Sequence, residues 1–238
     1  ILFTDILGFA YDTRNLTALF EVGMLKQLNL FVIAKGLCSN YNNVIAFAFS
    51  DTCVAVSDDN QQLFDYVREL FKKAWDKNIL LRGAITFGTF CDLSNTPSLT
   101  NAPKNFITMP IIGNGYTKAA QIEKTIKGCR LFIDLAINIP LSHRNNIRPL
   151  ENNNLQGCLH LQPYAEYIWW ETNDKIICSN IIKVTELEIN QLTQDKNQAQ
   201  GGREVYFDKI RDAEISYKID SLKKRLEHLR KTLEIMSK

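Results

Sequence analysis

The stretch NVIAFAFSDTCVAVS, residues 43–57, constrains the fold more than any other part of the chain. Two apolar runs flank Ser50 and Asp51, and residues of these types favour tight turns. A pattern of this length predicts two antiparallel strands joined by a short hairpin. The chain must therefore build a sheet that contains this pair.

Segments on either side of the hairpin alternate between strand-like and helix-like patterns. Residues 1–4 predict a short strand, which Gly8 separates from a helix that runs to about Ala34 or Gly36. Residues 58–77 predict an amphipathic helix, because apolar residues recur at spacings of three and four: Leu63, Tyr66, Val67, Leu70, Phe71 and Ala74.

The segments that follow complete the predicted core. ILLRGAITFGTF, residues 79–90, predicts a strand broken at Gly83 and Gly88, and the polar stretch 92–110 predicts a loop or insertion. A helix over 115–126 and a strand over 129–134 come next. The order β-α-β-β-α-β with an extra strand predicts an α+β fold, a ferredoxin-like or palm-type, antiparallel-rich sheet with helices packed on one face.

This topology sets the first strand beside the hairpin, so Asp5 and Asp51 are expected to approach each other. Two carboxylates at neighbouring strand ends raise each other's pKa, and a bound divalent cation removes that cost. A Mg²⁺ ion takes one or two such carboxylates and leaves its other positions to water and substrate phosphates. Alternatively, Asp5 only opens the turn into the helix and Asp51 only forms the hairpin turn.

Composition excludes several kinds of partner. The 28 basic and 26 acidic side chains give a net charge of +2, so we expect no nucleic-acid or membrane partner. The apolar runs are shorter than the roughly 20 residues that span a bilayer, and no signal peptide precedes the first strand, which favours a soluble, cytoplasmic protein. Six cysteines without a C-x-x-C pattern suit a reducing compartment, and His143, His160 and His228 are expected to be structural or solvent-facing.

Four blocks, FTDILGF, FSDTCVAVS, LLRGAITFG and GNGYTKAAQIE, occur in the order and near the spacing of the class III nucleotidyl cyclase core. Over roughly residues 1–135 the chain resembles that superfamily. Its FSD hairpin and long C-terminal extension look like the pyrimidine (uridylate or cytidylate) cyclases of bacterial Pycsar anti-phage systems.

The resemblance implies an enzyme that converts UTP or CTP to its 3′,5′-cyclic monophosphate and pyrophosphate, as a second messenger in anti-phage defence. It implies a head-to-tail homodimer with composite sites and two Mg²⁺ or Mn²⁺ ions per site. It also implies a separate cyclic-nucleotide effector that binds the product.

Within this resemblance, Asp5 and Asp51 match the family's two catalytic, metal-binding aspartates, and the backbone carbonyl of Ile6 matches its main-chain metal contact. The turn after Asp5 resembles the segment that folds over the triphosphate, in which backbone N–H groups would cradle phosphate. We therefore expect substrate contacts from Ile6, Leu7, Gly8 and Phe9.

The departures from the family pattern concern base recognition. Phe47 stands where adenylate cyclases carry a base-reading lysine, and Pro110 stands where they carry a base-reading aspartate. Both adenine-reading side chains are absent, which favours a pyrimidine, UTP before CTP. Phe47 either flanks the base or is ordinary hairpin core, and Tyr116 either faces the ribose or base or packs beneath the sheet.

Phosphate recognition departs from the pattern as well. Thr117 and Gln121 occupy the positions of the family's ribose-binding asparagine and phosphate-binding arginine. A neutral amide cannot replace the charged, bidentate contact of a guanidinium. The candidate substitutes, each alternatively a solvated surface charge, are Arg82, Lys118, Lys124 and Arg130.

We divide the chain into a cyclase core at 1–137, an extension at 138–200 that completes or flanks it, and a C-terminal heptad helix at 201–238. Residues 142–154 predict a linker or long surface loop, residues 159–170 an added strand or helix, and residues 191–204 a flexible connection. The heptad helix carries an a/d seam at Ile215, Ile219, Leu222, Leu226, Leu229, Leu233 and Met236. That seam packs either on its own domain or against a second subunit, and its 3.5-residue period favours the second.

Three functions from different classes fit this sequence. The first is a pyrimidine nucleotide cyclase, the second a catalytically degenerate module that binds nucleotide, and the third a coiled-coil scaffold. Retention of both Asp5 and Asp51 favours the enzyme, because a module that only binds nucleotide has little need of a costly carboxylate pair.

Overall fold

A seven-stranded sheet organises the molecule. The computed structural model describes residues 1–9, 18–93, 96, 111–125, 128–149, 164–170, 172–199 and 207–237. The strands are β1 Leu2–Ile6, β2 Ile45–Phe49, β3 Thr52–Val56, β4 Leu81–Ile85, β5 Cys91–Asp92, β6 Ile111–Ile112, β7 Leu131–Asp134, β8 Ile147–Pro149 and β9 Tyr164–Tyr167. The helices are α1 Ala18–Cys38, α2 Asn60–Asp76, α3 Asn114–Thr125, α4 Thr172–Ala199 and α5 Phe207–Met236, with a 3₁₀ helix at Leu141–Asn146.

The strand order is β2-β3-β1-β4-β7-β9-β8, and every neighbouring pair is antiparallel except β4 and β7. The first four strands with α1 and α2 form the β-α-β-β-α-β unit expected from the sequence, and β7 is the extra strand. The α+β fold class is confirmed. Strands β5 and β6 form a separate two-stranded ribbon.

Local sequence explains the hairpin and the helix that follows it. Ser50 adopts a positive φ of 50° at the turn between β2 and β3, as a tight hairpin requires. The side chain of Asp59 accepts a hydrogen bond from the backbone N–H of Gln62, which caps α2. The apolar face of α2 predicted from the sequence is buried against the sheet.

The helices do not all lie on one face of the sheet, as the sequence predicted. Leu2, Ile6 and their neighbours pack against the buried faces of α1 and α2 in the main core. Helix α3 packs on the opposite face, where Ala119 and Ile122 contact Ala84 and Phe132. The expectation of helices on one face was therefore wrong for α3, whose short apolar stripe does not indicate which face it covers.

Gly83 does not break β4, although the sequence predicted a break there. It lies in the middle of the strand and pairs with Thr4 on one side and Leu131 on the other. A Cβ atom at this position would lie 2.7 Å from the carbonyl oxygen of Phe3. Close strand approach, rather than a break, explains this glycine.

The second half of the chain extends the sheet and then adds two long helices. Residues 147–149 and 164–167 are strands at the sheet edge, so part of the predicted linker belongs to the core. Helix α4 continues to Ala199, so the expected flexible connection over 191–204 is helical for most of its length. Residues 200–206 lie outside the described part of the chain.

The C-terminal seam packs inside its own chain. Leu226, Leu229, Ile235 and Met236 of α5 are buried in the main core together with Ile182 of α4. This corresponds to the first of the two interpretations of the heptad pattern, a helix packed on its own domain. Dimerisation through residues 201–238 stays a prediction.

Two of the histidines are structural, as the sequence predicted, and His160 lies outside the described residues. His143 is buried and hydrogen-bonds Asp65 at 2.8 Å and the hydroxyl of Tyr167 at 2.6 Å, which ties the 3₁₀ helix to α2 and β9. The cysteines at 38, 53, 91, 129 and 178 are free thiols. Across the described ranges, the helices include none with the length and apolar character that crossing a bilayer requires.

The half-buried ring of His228 on α5 predicts acid sensitivity. Burial first, and then the nearby Lys224 and Arg82 charges, lower its pKa from 6.5 to about 4. Because the unfolded chain binds this proton more readily, stability is lost as the pH falls from about 6.5 to 4. We expect His228→Gln to lessen that loss by about 1–2 kcal/mol, measured by urea unfolding at pH 7 and pH 4.5. An identical loss in the variant and the wild type would contradict this.

Candidate active site

Asp5 and Asp51 meet at one end of the sheet. Asp5 lies at the end of β1 and pairs with Thr52 of β3, the residue directly after the hairpin turn. The backbone N–H of Ile6 donates a hydrogen bond to the carbonyl oxygen of Asp51 at 3.0 Å. The hydroxyl of Ser50 donates to Oδ1 of Asp51 at 3.0 Å, so the turn itself orients this carboxylate.

The charge on Asp5 is unfavourable in this position. Its side chain is 19% exposed, and its buried Oδ1 atom has no hydrogen-bond partner. Burial first, and then the neighbouring carboxyl groups of Asp51 and Glu123, raise the pKa of Asp5 to about 8. A buried carboxylate oxygen without a donor, beside a second carboxylate, is an arrangement that a cation stabilises.

Divalent cations with oxygen ligands fit this pair. Among the described side chains, no group of three or more His, Cys, Asp or Glu residues is arranged to hold a metal ion. A cation here would therefore take Asp5 and Asp51 as its carboxylate ligands and complete its shell with a backbone oxygen, water or a bound phosphate. Mg²⁺ uses few carboxylates in this way, and the carbonyl of Ile6 remains the candidate main-chain ligand.

Arg82 and Glu123 complete the charged cluster. Arg82 lies opposite Asp5 on β4; its Nη2 atom is 3.4 Å from Oδ2 of Asp5, and its Nε atom forms an ion pair with Oε1 of Glu123. Glu123 is buried on the inner face of α3, and burial raises its pKa although Arg82 opposes the shift. The sequence analysis missed Glu123. The one feature of the sequence that could have indicated its burial is its position directly after the apolar Ile122.

The turn after Asp5 offers fewer backbone donors than the sequence analysis expected. The N–H of Ile6 is bonded to Asp51, and the N–H of Leu7 is bonded to the carbonyl oxygen of Leu80 at 2.8 Å. Strand pairing thus continues past Asp5 and uses both groups, so they do not cradle phosphate. Gly8 follows with a φ of 82°, a conformation that favours glycine, and Phe9 is partly buried beside it.

A second candidate region lies around the first half of α3. Thr117 and Gln121 are exposed and line a pocket of about 800 Å³ together with Lys118 and Asp134. Lys118 forms an ion pair with the buried Asp134. The ring of Phe87, 68% exposed, lies at the same pocket.

Phe47 and Tyr116 lie apart from the carboxylates, in a partly exposed aromatic cluster on the α3 side of the sheet. The ring centroid of Phe47 is 5.5 Å from that of Phe90, and the ring of Tyr116 meets Phe3 edge-on at 5.7 Å. Both rings pack against buried side chains that include Val54. Pro110, the second expected base-reading position, lies outside the described residues.

The pocket and the carboxylate pair lie at opposite ends of the sheet. Arg82 sits beside Asp5, whereas Ile85, further along β4, sits beside Ile133 of β7. Asp134 follows Ile133 directly, and Phe87 lies two residues after Ile85. Both residues line the pocket. At about 3.3 Å per residue the two sites are separated by about 13–16 Å along the strands.

The structure distinguishes the four cations expected to replace the missing arginine. Arg130 forms a buried, bidentate ion pair with Glu166, which occupies its guanidinium. Lys124 is exposed at the end of α3. Lys118 belongs to the pocket with Thr117 and Gln121. Arg82 is the candidate that lies beside Asp5.

Comparisons with known proteins give structural neighbours only. No family model matches the chain, and no curated protein matches it. The adenylyl cyclase CyaB from P. aeruginosa is similar, with 14% identity, a TM-score of 0.48, and coverage of 72% of this chain and 93% of that one. The catalytic core of a rhodopsin-guanylyl cyclase with converted specificity, in complex with ATPαS, has 14% identity, a TM-score of 0.46, and coverage of 70% and 93%. The guanylyl cyclase domain of the RhoGC fusion protein from the fungus Blastocladiella emersonii has 12% identity, a TM-score of 0.47, and coverage of 70% and 91%.

Removal of Arg82 is expected to destabilise the fold through the acids it leaves behind. In Arg82→Met the buried Glu123 loses its counter-charge, at a cost of about 2–4 kcal/mol. The double variant Arg82→Met/Glu123→Gln is expected to regain most of this, because the amide carries no charge. Urea unfolding of the two single variants, the double variant and the wild type measures the coupling. Additive losses would show that the ion pair does not carry the effect.

Proposed function

We propose that this chain is a nucleotidyl cyclase that converts a pyrimidine nucleoside triphosphate, UTP in preference to CTP, to its 3′,5′-cyclic monophosphate and pyrophosphate. The observation that carries the proposal is the carboxylate pair Asp5 and Asp51, half-buried at the junction of β1 with the hairpin turn. The four sequence blocks that resemble the class III core support it, since each metal ligand comes from one of them. The resemblance to Pycsar cyclases extends the proposal to a second messenger of anti-phage defence.

The balance of charge at the pair explains why metal is needed. Among the described side chains, the guanidinium of Arg82 pairs with Asp5 and Glu123, and Asp51 adds a third carboxyl group beside Asp5. A triphosphate brings several further negative charges, so substrate and protein repel each other unless cations bind with the substrate. Two Mg²⁺ or Mn²⁺ ions held by Asp5, Asp51 and the carbonyl of Ile6 would activate the ribose 3′-hydroxyl and neutralise the leaving pyrophosphate.

The protein's own groups orient the reactants. Ser50 fixes the carboxylate of Asp51 through its hydroxyl, and strand pairing on both sides fixes the backbone at Asp5. Arg82 is held by Glu123 beside Asp5, where its guanidinium can share charge with a bound phosphate oxygen. Preorganised charges of this kind need no rearrangement during the reaction.

Separation of the two candidate regions supports a composite site. Phe87 and Asp134, which line the pocket with Thr117 and Gln121, lie about 13–16 Å along the sheet from Asp5, so within one chain a nucleotide would have to be fully extended to reach both regions. A symmetric head-to-tail dimer would set the carboxylates of one copy against α3 of the other, twice. The proposed enzyme is therefore a homodimer whose monomer is inactive.

The side chain at the base-reading position supports a pyrimidine. Phe47 packs against Phe90 and presents a ring edge or face without a hydrogen-bonding group. Adenine would lose there the side-chain hydrogen bonds that read it in adenylate cyclases, at a cost in binding. The smaller pyrimidine is the better fit to this aromatic surface.

A nucleotide-binding module without catalysis is the second candidate. The observation that favours it is the exposed, neutral pair Thr117 and Gln121, which supplies no positive charge for the transition state. Such a module would bind nucleotide with Mn²⁺ and release it unchanged. The activity measurements below distinguish the two candidates.

Asp5→Asn and Asp51→Asn are each expected to abolish turnover and leave the fold intact. Each change replaces an anionic ligand with a near-isosteric amide, so the loss should be at least about a hundredfold, or about 3 kcal/mol. The assay incubates the chain with each nucleoside triphosphate and Mn²⁺ and detects a cyclic monophosphate by mass. Asp58→Asn, in the exposed bend after β3, is the matched control. Full activity in both site variants would show that the metal ligands lie elsewhere.

In a four-nucleotide competition, we expect UTP or CTP to be turned over with a far higher kcat/KM than ATP or GTP. The physical reason is that Phe47 and Pro110 stand where adenylate cyclases carry their two adenine-reading side chains. Product masses measured at equal substrate concentrations give the ratio. Preferential formation of a cyclic purine nucleotide would contradict the assignment.

Mixing two inactive variants tests the composite site. Asp51→Asn lacks the carboxylate half, and Thr117→Ala/Gln121→Ala lacks the α3 half. A mixed dimer regains one complete site, so an equal mixture that exchanges subunits should recover about a quarter of wild-type activity. Each variant alone is the control. No recovery in a mixture shown to exchange subunits would place all the site residues in one chain.

A further inference from the structure

Helix α4 carries a row of large apolar side chains that the described part of the chain leaves exposed. Cys178 and Thr185 of α4 are buried, and the thiol of Cys178 donates to the carbonyl oxygen of Leu229 on α5 at 3.5 Å. Beside this buried face, Ile177 and Val184 line a groove with Leu222 and Arg225 of α5. The exposed fractions of Ile177, Val184 and Leu187 are 42%, 63% and 68%. Large apolar side chains exposed in a row usually mark an interaction surface.

The exposed residues have the spacing of a coiled-coil seam. The α4 seam comprises six exposed positions that alternate in steps of three and four: Ile177, Asn180, Val184, Leu187, Gln191 and Gln194. At 1.5 Å per residue the seam is about 26 Å long. Counting Ile177 as a, the seam occupies every a and d position over two and a half heptads.

We propose that the α4 seam pairs with the α4 seam of a second copy of this chain, as a parallel, in-register two-stranded coiled coil. A parallel pair sets Ile177, Val184 and Leu187 against their own copies and sets Asn180 against Asn180. An antiparallel pair centred between Val184 and Leu187 would instead set Ile177 opposite Gln194, and one centred on residue 182 would set Asn180 opposite Val184, so neither pairs Asn180 with itself. An Asn paired with its own copy among apolar seam residues, as Asn180 would be between Ile177 and Val184, is a known device for fixing register.

Charges beside the seam match the parallel arrangement. Lys183 occupies a g position and Glu188 the e position five residues later. In a parallel coiled coil, the g residue of one helix faces the following e residue of the other, so Lys183 meets Glu188 twice in the dimer. An antiparallel coil pairs g with g and e with e, which would lose both contacts.

The interface is separate from the proposed active site. It uses no residue of the carboxylate pair or the α3 pocket, so it stands or falls without the proposed cyclase activity. The seam is short, so its buried area falls below the roughly 1,200 Å² of standard interfaces, and we expect micromolar affinity from the seam alone. It also differs from the α5 seam, whose Leu226, Leu229, Leu233 and Met236 lie in or against the chain's own core.

A disulfide test detects the seam whatever other contacts hold the dimer. A parallel pair brings the two copies of residue 180 within the about 4.4–6.8 Å between Cα atoms that a disulfide spans. Asn180→Cys is therefore expected to form a covalent dimer on mild oxidation at tens of micromolar protein. Thr193→Cys, exposed on α4 but outside the seam, is the matched control and carries the same native cysteines, including the exposed Cys91.

Second-site changes test the contacts. Adding Leu187→Glu to Asn180→Cys should lower crosslinking at least about tenfold, because it buries two like charges in the seam. Lys183→Glu should lower it several-fold, and Lys183→Glu/Glu188→Lys should restore it. Because Glu188 also interacts within its own chain, the thermal melt of each variant serves as the fold control.

Three crosslinking results distinguish the parallel interface from its alternatives. Crosslinking at 180 that Leu187→Glu abolishes would support the proposal. Crosslinking only between Asn180→Cys and Gln191→Cys chains would overturn the parallel register. Crosslinking at 180 no greater than at 193 would overturn the interface.

Discussion

The central position of β1, hydrogen-bonded to β3 on one side and β4 on the other, is the constraint on which the rest of the molecule depends. This register leaves Asp5 between Thr52 and Arg82, with the hairpin turn beside it. The backbone there cannot move away without breaking strand pairing on both sides, so the carboxylate stays half-buried and close to Asp51. Arg82 and Glu123 offset part of this cost, and a cation would offset more.

The same sheet holds the two candidate regions apart. Helix α3 runs along it, with Thr117 near the pocket at one end and Glu123 near Asp5 at the other. Because packed strands and helices do not shorten, only a fully extended nucleotide would reach from Asp5 to the far end of the pocket within one chain. In the proposed homodimer, α3 of a second copy would supply the missing half.

Much of the core could be predicted from the sequence, because its patterns are strongly periodic. The hairpin at Ser50 and the amphipathic α2 appear where the sequence predicted them, and the topology correctly implied that Asp5 and Asp51 meet. Two of the expected phosphate-binding N–H groups, those of Ile6 and Leu7, are instead used by strand pairing, and the contacts expected from Gly8 and Phe9 stay a prediction. Glu123 could not be predicted, since an acid on a short helix gives no sign that the helix buries it against an arginine.

The second half was less predictable for a related reason. A heptad pattern shows that a helix needs an apolar partner but does not identify that partner. The α5 seam finds it within its own core, whereas α4 carries apolar residues on two faces, and only packing reveals that the face containing Val184 and Leu187 is left exposed.

The most direct test of the account is the position of Mn²⁺ in a crystal of the chain with a non-cyclisable UTP analogue, located by anomalous scattering. We expect Mn²⁺ peaks between the carboxylates of Asp5 and Asp51, with the nucleotide also touching α3 of a second copy. Peaks remote from this pair, or a nucleotide bound wholly within one chain, would contradict the account.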